Sequence, residues 1–186
     1  MVNLSRLTRA YRYGSRHARG RMLAALIRLG GGQCGPGLEV EAGTTLRWAP
    51  HRGLQIGSNV RFGRGVILDV PEGGELVLGD GVKIMHYTVV AAFARVEIGA
   101  GSQIGESCSI RDSDHGVGDA TNSLADSNIS DETRLGQGVW LGRGVAVLRG
   151  STIGDFARVG ANSVVLGSRP IPAGAIAVGA PAIAKA

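Results

Sequence analysis

Residues 135–165 read LGQGVWLGRGVAVLRGSTIGDFARVGANSVV, and one spacing runs through the whole stretch. An aliphatic residue recurs at every sixth position, and glycine follows four of the six anchors. These anchors are Leu135, Leu141, Val147, Ile153, Val159 and Val165. A helix repeats its apolar residues at three and four, and a half-buried strand at two. A period of six instead predicts short parallel strands joined by corners, three to a coil of about 18 residues, as in a β-helix.

The same spacing continues towards the N-terminus, less regularly. It predicts further coils with the anchors Ile56, Phe62, Leu68, Leu78, Ile84, Val90, Ile98, Ile104 and Ile110. Intervals longer than one coil predict small corner loops near residues 71–74 and 91–94. The longest interval, between Ile110 and Leu135, predicts an extruded loop at residues 116–133, rich in Asp, Asn, Ser and Gly. Polar loops that leave a repeat commonly carry its function.

The first 35 residues differ in composition from the rest. They contain seven arginines and no acidic residue, whereas the whole chain has 20 basic and 15 acidic side chains. Apolar residues on one helical face predict a helix over residues 3–29, ended by three glycines. This basic arm (residues 1–35) either covers the exposed edge of the first coil or lies on anionic lipid. Residues 36–168 are predicted to form the repeat, and residues 169–186 a C-terminal extension.

Composition argues against several classes of protein. No apolar run approaches the roughly 18 residues of a transmembrane helix, and no cleavage pattern follows the apolar segment at residues 22–29. The arm lacks the aromatic interleaving of nucleic-acid binders, so no nucleic acid is expected. Cys34 and Cys108 form no spaced pattern, which favours a reduced, cytoplasmic setting. Lipid binding by the arm would place the protein at the inner face of the membrane.

The hexads resemble those of the hexapeptide-repeat acyltransferases. So do residues 138–142, 153–165 and 178–182, and the motif DSDHG at residues 112–116. The chain looks most like the sugar O-acetyltransferases of exopolysaccharide and lipopolysaccharide pathways (the colanic-acid type), with galactoside and maltose acetyltransferases beside them. The resemblance covers about residues 54–185. It implies an all-β fold, a left-handed parallel β-helix with a short N-terminal helix, and homotrimers with active sites between subunits. It also implies acetyl-CoA as co-substrate and a sugar or glycan hydroxyl as acceptor.

His115 is the predicted catalytic residue. The resemblance puts the family's catalytic histidine there, and imidazole, with an ordinary pKa near neutrality, suits a base that takes the hydroxyl proton. Asp112 or Asp114 is expected to hold the ring and stabilise its charged form. Alternatively one of the two, such as Asp114, binds the sugar, or both cap the turn. His86, in the preceding coil, either touches the sugar or is a partly exposed coil residue.

The resemblance further implies a groove along the C-terminal coils for the pantetheine arm of coenzyme A. The residues mapped to it are Trp140, Gly142, Arg143, Gly160, Ala161, Leu166, Gly167 and Lys185. Backbone N–H groups near Gly142 and the Gly160-Ala161 turn are predicted to stabilise the oxyanion. Candidates for pairing with the nucleotide phosphates are Arg143, Arg149, Arg158, Arg169 and Lys185. Arg143 and the Leu166-Gly167 corner depart from the family pattern, which predicts rearranged phosphate contacts.

Other functions stay open at this point. A non-catalytic trimeric scaffold has the same repeat but little use for an extruded loop, and an acyltransferase for a non-sugar acceptor has the same motifs. A zinc carbonic anhydrase needs three converging histidines. The four histidines, His17, His51, His86 and His115, include no closely spaced pair, so no metal is expected. Neither cysteine has a histidine nearby in sequence, which favours direct transfer from acetyl-CoA over a covalent acyl-enzyme.

Overall fold

The computed structural model describes residues 4–117 and 124–185, one helix and a series of short strands. The helix is α1 (Leu4–Leu29). The strands are β1 (Gln33–Cys34), β2 (Glu39–Val40), β3 (Thr45–Leu46), β4 (Leu54–Ile56), β5 (Arg61–Phe62), β6 (Ile67–Asp69), β7 (Glu75–Leu78), β8 (Lys83–Ile84), β9 (Val89–Ala91), β10 (Arg95–Ile98), β11 (Gln103–Ile104), β12 (Ser109–Arg111), β13 (Ser113–Val117), β14 (Leu124–Ser130), β15 (Thr133–Leu135), β16 (Trp140–Leu141), β17 (Ala146–Val147), β18 (Thr152–Ile153), β19 (Arg158–Val159), β20 (Val164–Val165), β21 (Ile176–Val178) and β22 (Ile183–Ala184).

Three sheets form the three sides of a parallel β-helix. Sheet A stacks β1, β4, β7, β10, β15 and β18; sheet B stacks β2, β5, β8, β11, β16, β19, β21 and β22; sheet C stacks β3, β6, β9, β12, β17 and β20. The chain visits A, B and C in turn, so each strand pairs with the strand one coil earlier. We call the turns from sheet B to sheet C the B–C corner (residues 85–88, 105–108, 142–145 and 160–163). The turns from sheet C to sheet A are the C–A corner (residues 92–94, 112–132, 148–151 and 166–170).

The aliphatic anchors stack in register along the axis. On sheet A, Ile98 pairs with Leu135 and Leu135 pairs with Ile153, and on sheet B Ile104 pairs with Leu141. All of these side chains are buried, and each contributes about 2 kcal/mol by leaving water. The predicted all-β coil with inward anchors is therefore confirmed.

Glycine allows the coils to approach each other at the corners. A Cβ on Gly142 would lie 2.7 Å from the backbone nitrogen of Ala161 in the next coil. Gly138 turns the chain with a φ of 63°, a left-handed conformation that favours glycine. The glycine after an anchor therefore reflects close contact between corners.

Two boundaries of the coil differ from the prediction. The first coil begins with β1, before residue 36. At the other end the coils continue past residue 168, because Ile171 bridges to Ile153 and β21 pairs in parallel with β19. Pro170 and Pro172 restrict that sheet A contact to a single bridge, since proline has no N–H to donate. Within the three sheets, as far as the chain is described, only β22 runs antiparallel, against β21.

The insertion is a β-hairpin that starts earlier than predicted. β13 and β14 pair with each other in antiparallel fashion outside the three sheets, beginning at Ser113 rather than Gly116. Residues 118–123 of the predicted loop lie outside the described residues. The main-chain N–H of Asp131 donates to the carbonyl of Asp112 (2.9 Å), which closes the base of the hairpin.

Helix α1 covers the open end of the first coil. Ala24 and Ile27 are buried against it, and a Cβ on Gly20 would lie 1.8 Å from the carbonyl oxygen of Leu38. Arg19 donates to the carbonyl of Val40 (3.0 Å). The arm thus protects an exposed edge, which is one of the two roles considered for it. Among the described residues, no helix has both the length and the apolar character needed to cross a bilayer.

Candidate functional site

The hairpin carries His115 out from the C–A corner. The chain leaves after β12 on sheet C and returns to β15 on sheet A. His115 lies in β13 opposite Asn128 of β14, and its side chain is exposed. An exposed imidazole at the root of a hairpin is accessible to a ligand approaching this edge of the coil.

Asp112 is a turn cap. Its side chain is 0% exposed, and its two oxygens accept the backbone N–H groups of Phe93 (2.9 Å) and Ala94 (2.8 Å). The carboxylate therefore holds the corner loop of the preceding coil. These two hydrogen bonds are the capping role that was the alternative to orienting His115.

Asp114 faces away from the ring of its neighbour. Adjacent strand residues point to opposite sides, and Asp114 is directed at Arg149, with 3.4 Å between Nε and Oδ2. Arg149 also forms an ion pair with Asp131. With two carboxylates beside it, Arg149 has less charge to offer a nucleotide phosphate than the sequence suggested.

A groove of about 550 Å³ lies beside this ion-pair cluster. Asp114 and Arg149 line one part of it, and Leu166 and Gly167 line another. The structure therefore brings Asp114 together with the corner predicted to contact coenzyme A.

A second group of predicted residues lies at the B–C corner. Gly142, Arg143, Gly160 and Ala161 stack there in successive coils, linked for example by a hydrogen bond from the Asn162 N–H to the Arg143 carbonyl (2.8 Å). The corner therefore presents mainly backbone groups, which suits the narrow pantetheine arm of coenzyme A.

His86 belongs to the same corner, one coil nearer the N-terminus than residues 105–108. Its Nδ1 accepts the N–H of Arg64 (2.9 Å), which leaves Nε2 as the ring nitrogen that can face a ligand. The 3.8 Å between Nδ1 and Glu41 is too long for a hydrogen bond. His86 is partly exposed, and its Nδ1 links two successive coils through this hydrogen bond.

The two groups lie at opposite edges of sheet C. Arg143 and Arg149 bound this side of one coil, and because the chain turns at Gly144 the six steps between them span less than the roughly 20 Å of a fully extended chain. Trp140 is on the outer face of sheet B, beside Arg158 in register, and Lys185 follows β22 on the same sheet. Of the residues predicted to contact coenzyme A, Leu166 and Gly167 therefore share the C–A corner with His115, whereas the others lie at the B–C corner or on sheet B.

Sheet C has an uncharged central row on its outer face, although Asp69 and Arg111 lie on the same face nearer the C–A corner. The row consists of Thr45, Ile67, Val89, Ser109, Ala146 and Val164 on successive strands. The corresponding face of sheet A includes Glu97 and Arg134, and that of sheet B includes Arg61, Lys83 and Arg158. Because charged residues are depleted at the centres of protein interfaces, sheet C is the side best suited to contact another subunit.

Cys108 lies beneath the B–C corner and is not a nucleophile. Its side chain is buried, and Sγ donates to the carbonyl of Gly142 (3.2 Å). Burial raises the pKa of this thiol, as it does the pKa of Cys34. A thiol held protonated in this way is inert.

Comparison with known proteins supports the same fold and chemistry. The family model described as bacterial transferase hexapeptide (six repeats) matches residues 132–167. A putative lipopolysaccharide biosynthesis O-acetyl transferase of Escherichia coli (strain K12), WbbJ, is 35% identical over 137 residues, which are 69% of each chain. The chain belongs to the hexapeptide-repeat transferase family. The resemblance noted in the sequence is thereby confirmed.

Other relatives agree with this assignment. A probable acetyltransferase of Mycobacterium tuberculosis is 36% identical over 149 residues, 80% of this chain and 47% of that protein. A hexapeptide-repeat acetyltransferase of Vibrio cholerae, solved in complex with acetyl coenzyme A, is 26% identical with a TM-score of 0.63. That similarity covers 71% of this chain and 69% of the other.

Sequence reasoning missed two contacts that position the hairpin of this hexapeptide-repeat transferase. Asp112 lies 18 residues after Ala94, and Arg149 lies 18 residues after Asp131. In a β-helix, residues one coil apart stack. A separation of one coil period in the sequence could therefore have predicted both contacts.

Proposed function

We propose that this hexapeptide-repeat transferase moves an acetyl group from acetyl-CoA to a hydroxyl of a sugar, with His115 as general base. The observation that carries the proposal is the exposed imidazole on a hairpin of a transferase fold. The E. coli relative is named for O-acetyl transfer in lipopolysaccharide biosynthesis, which favours a sugar acceptor from surface polysaccharide synthesis. The V. cholerae protein was solved with acetyl coenzyme A, which favours that donor. A cytoplasmic location suits the donor and the reduced cysteines.

The chemistry requires one proton carrier. The imidazole of His115 takes the hydroxyl proton while the sugar oxygen attacks the thioester carbon. The tetrahedral oxyanion is stabilised by backbone N–H groups of a B–C corner. Its collapse breaks the C–S bond, and the imidazolium returns the proton to the coenzyme A sulfur. No covalent acyl-enzyme forms, which agrees with the buried state of both cysteines.

The complete site lies between subunits of a homotrimer. Association through the uncharged central row of the sheet C face would place the C–A corner of one subunit, with His115, against the B–C corner of the next. This is how His115 reaches the coenzyme A groove of Gly142, Arg143 and Ala161. It accounts for the separation of the two corners within one chain.

The test of the reaction is release of thiol from acetyl-CoA in the presence of candidate glycans. We expect His115→Ala to lower kcat by at least about 100-fold, with coenzyme A binding by calorimetry unchanged. Undiminished transfer in this variant would exclude His115 as the base. Failure of the wild-type protein to bind coenzyme A would favour a scaffold, and transfer only to amines would overturn the hydroxyl acceptor.

The test of the shared site is the oligomeric state. Ala146→Arg places a charge at the centre of the sheet C face and is expected to give monomers by light scattering and to abolish transfer. Thr152→Arg, on the outer face of sheet A, is the matched control and should remain trimeric. An active monomer would refute the shared site.

A further inference from the structure

The outer face of helix α1 carries an apolar stripe. Met22 is 62% exposed, Leu26 46% and Leu29 84%, and Ala18 and Ala25 are exposed on the same side. Their spacing of three and four residues gives one continuous helical face. The opposite face, with Ala24 and Ile27, is buried against the first coil. The side chains of the stripe therefore take no part in the packing that holds the helix against the first coil.

Arginines border this stripe on one side. Arg21 and Arg28 are seven residues apart, so they lie on the same edge of the helix. Both line a groove of about 550 Å³ between α1 and the first coil. Two of the five N–H groups of Arg28 donate to the carbonyl of Cys34 (3.2 and 2.6 Å). Its remaining donors are left to serve a ligand in the groove.

The charge around the stripe has one sign. The first acidic residue of the chain is Glu39, and it is paired with Arg16 (3.0 Å). An exposed apolar face bordered by arginines is the pattern of helices that lie in the interface of an anionic bilayer. There the leucines reach the acyl boundary while the guanidinium groups meet lipid phosphates.

A second copy of α1 is a poorer occupant. Two stripes packed face to face would bring Arg21 and Arg28 of both copies together. Near neutral pH no carboxylate from residues 1–38 is present to pair with them. Like charges brought together without a counter-ion oppose association, whereas an anionic lipid surface supplies the missing charge.

We propose that α1 docks the protein on an anionic lipid surface, with Met22, Leu26 and Leu29 entering the bilayer interface and Arg21 and Arg28 binding headgroup phosphates. The inference is independent of the proposed acyl transfer. The helix then has two roles at once: one face covers the first coil and the other holds the protein at a membrane. A lipid-linked acceptor would be presented at the same surface.

Flotation of the full chain with vesicles tests this inference. We expect binding to phosphatidylcholine vesicles with about one-third phosphatidylglycerol, and little binding to pure phosphatidylcholine. The double variant Leu26→Glu/Leu29→Glu should lower partitioning by about tenfold or more, and Arg21→Gln by about fivefold. The matched control is Ile183→Glu, the same kind of change at a 59% exposed position away from the helix, which should bind as the wild type does.

The outcomes separate the alternatives. Equal binding to neutral and anionic vesicles, or no binding to either, would overturn the proposal. If the double variant binds vesicles normally but has a smaller mass by light scattering, the stripe is a contact between copies and not a lipid surface. The changed side chains are exposed, so melting temperatures should match the wild type; if the double variant is unfolded, Arg21→Gln alone decides the outcome.

Discussion

Replacing Asp112 by asparagine separates a structural role from a catalytic one. The carboxylate accepts the N–H groups of Phe93 and Ala94 at 2.9 and 2.8 Å and is 0% exposed. Asparagine keeps one acceptor oxygen but presents its NH₂ to the other N–H. One N–H donor of the corner loop is then left facing another donor in place of the buried carboxylate oxygen that it met.

The magnitude follows from that single lost bond. A hydrogen bond to a charged acceptor contributes about 1.5–3 kcal/mol, and leaving its buried partner unsatisfied costs a similar amount. Because removing a buried charge offsets part of this, we expect a loss of about 2–3 kcal/mol. For a chain of 186 residues, this lowers Tm by about 5–10 °C.

The assay measures Tm by calorimetry and kcat by thiol release on the same preparation, well below the melting temperature. We expect Asp112→Asn to lower Tm while kcat and its pH profile stay within about threefold of wild type. The matched control is Asp114→Asn, because that exposed pair with Arg149 contributes at most about 1 kcal/mol. An unchanged Tm with a kcat about 10⁴-fold lower, as when a carboxylate orients a catalytic imidazole, would refute the capping role.

Three further predictions concern the arm and the coil. Gly20→Val, whose Cβ would lie 1.8 Å from a carbonyl oxygen of the first coil, should displace α1 and lower stability by about 3 kcal/mol in urea titrations. Gly14→Ala, with no atom within 4 Å, should be neutral or stabilising. Burial alone would raise the pKa of Glu41, but the hydrogen bond and charge of Arg61 outweigh it and hold that pKa below its ordinary value. The pair therefore stabilises the fold above the unfolded carboxyl pKa and loses this effect as pH falls through the folded pKa. Glu41→Gln should cost up to about 1 kcal/mol near pH 7 and almost nothing near pH 2; equal losses at both pH values would contradict the ion pair. Because burial raises the pKa of Cys108, iodoacetamide should modify it at least about 100-fold more slowly in the native than in the unfolded protein; rapid native labelling would show an accessible thiol.

The repeat was predictable because its period is the period of the structure. Leu135, Leu141 and Val147 lie on three successive sides of the coil, so the spacing along the sequence corresponds directly to sheets A, B and C. The C-terminal boundary was harder to place. Pro170 and Pro172 indicate an end to strand structure, yet Ile171 still occupies the anchor position and is buried.

The candidate site was predictable by residue type but not by partner. The motif picked out His115, Asp112 and Asp114, and all three lie at the base of the hairpin. Which way each side chain points depends on groups one coil away. The N–H groups of residues 93 and 94 engage Asp112, and Arg149 engages Asp114.

The sequence by itself determined the coil, its inward aliphatic columns and the point where a polar segment leaves it, because these depend on spacing along the chain. Tertiary structure decided that Asp112 is buried, that Asp114 turns to Arg149, and that the two groups of site residues lie at opposite edges of sheet C. Those features depend on which atoms from separate coils meet. Stacking of the coils brings those atoms together, and no local sequence pattern predicts the direction in which each side chain then points.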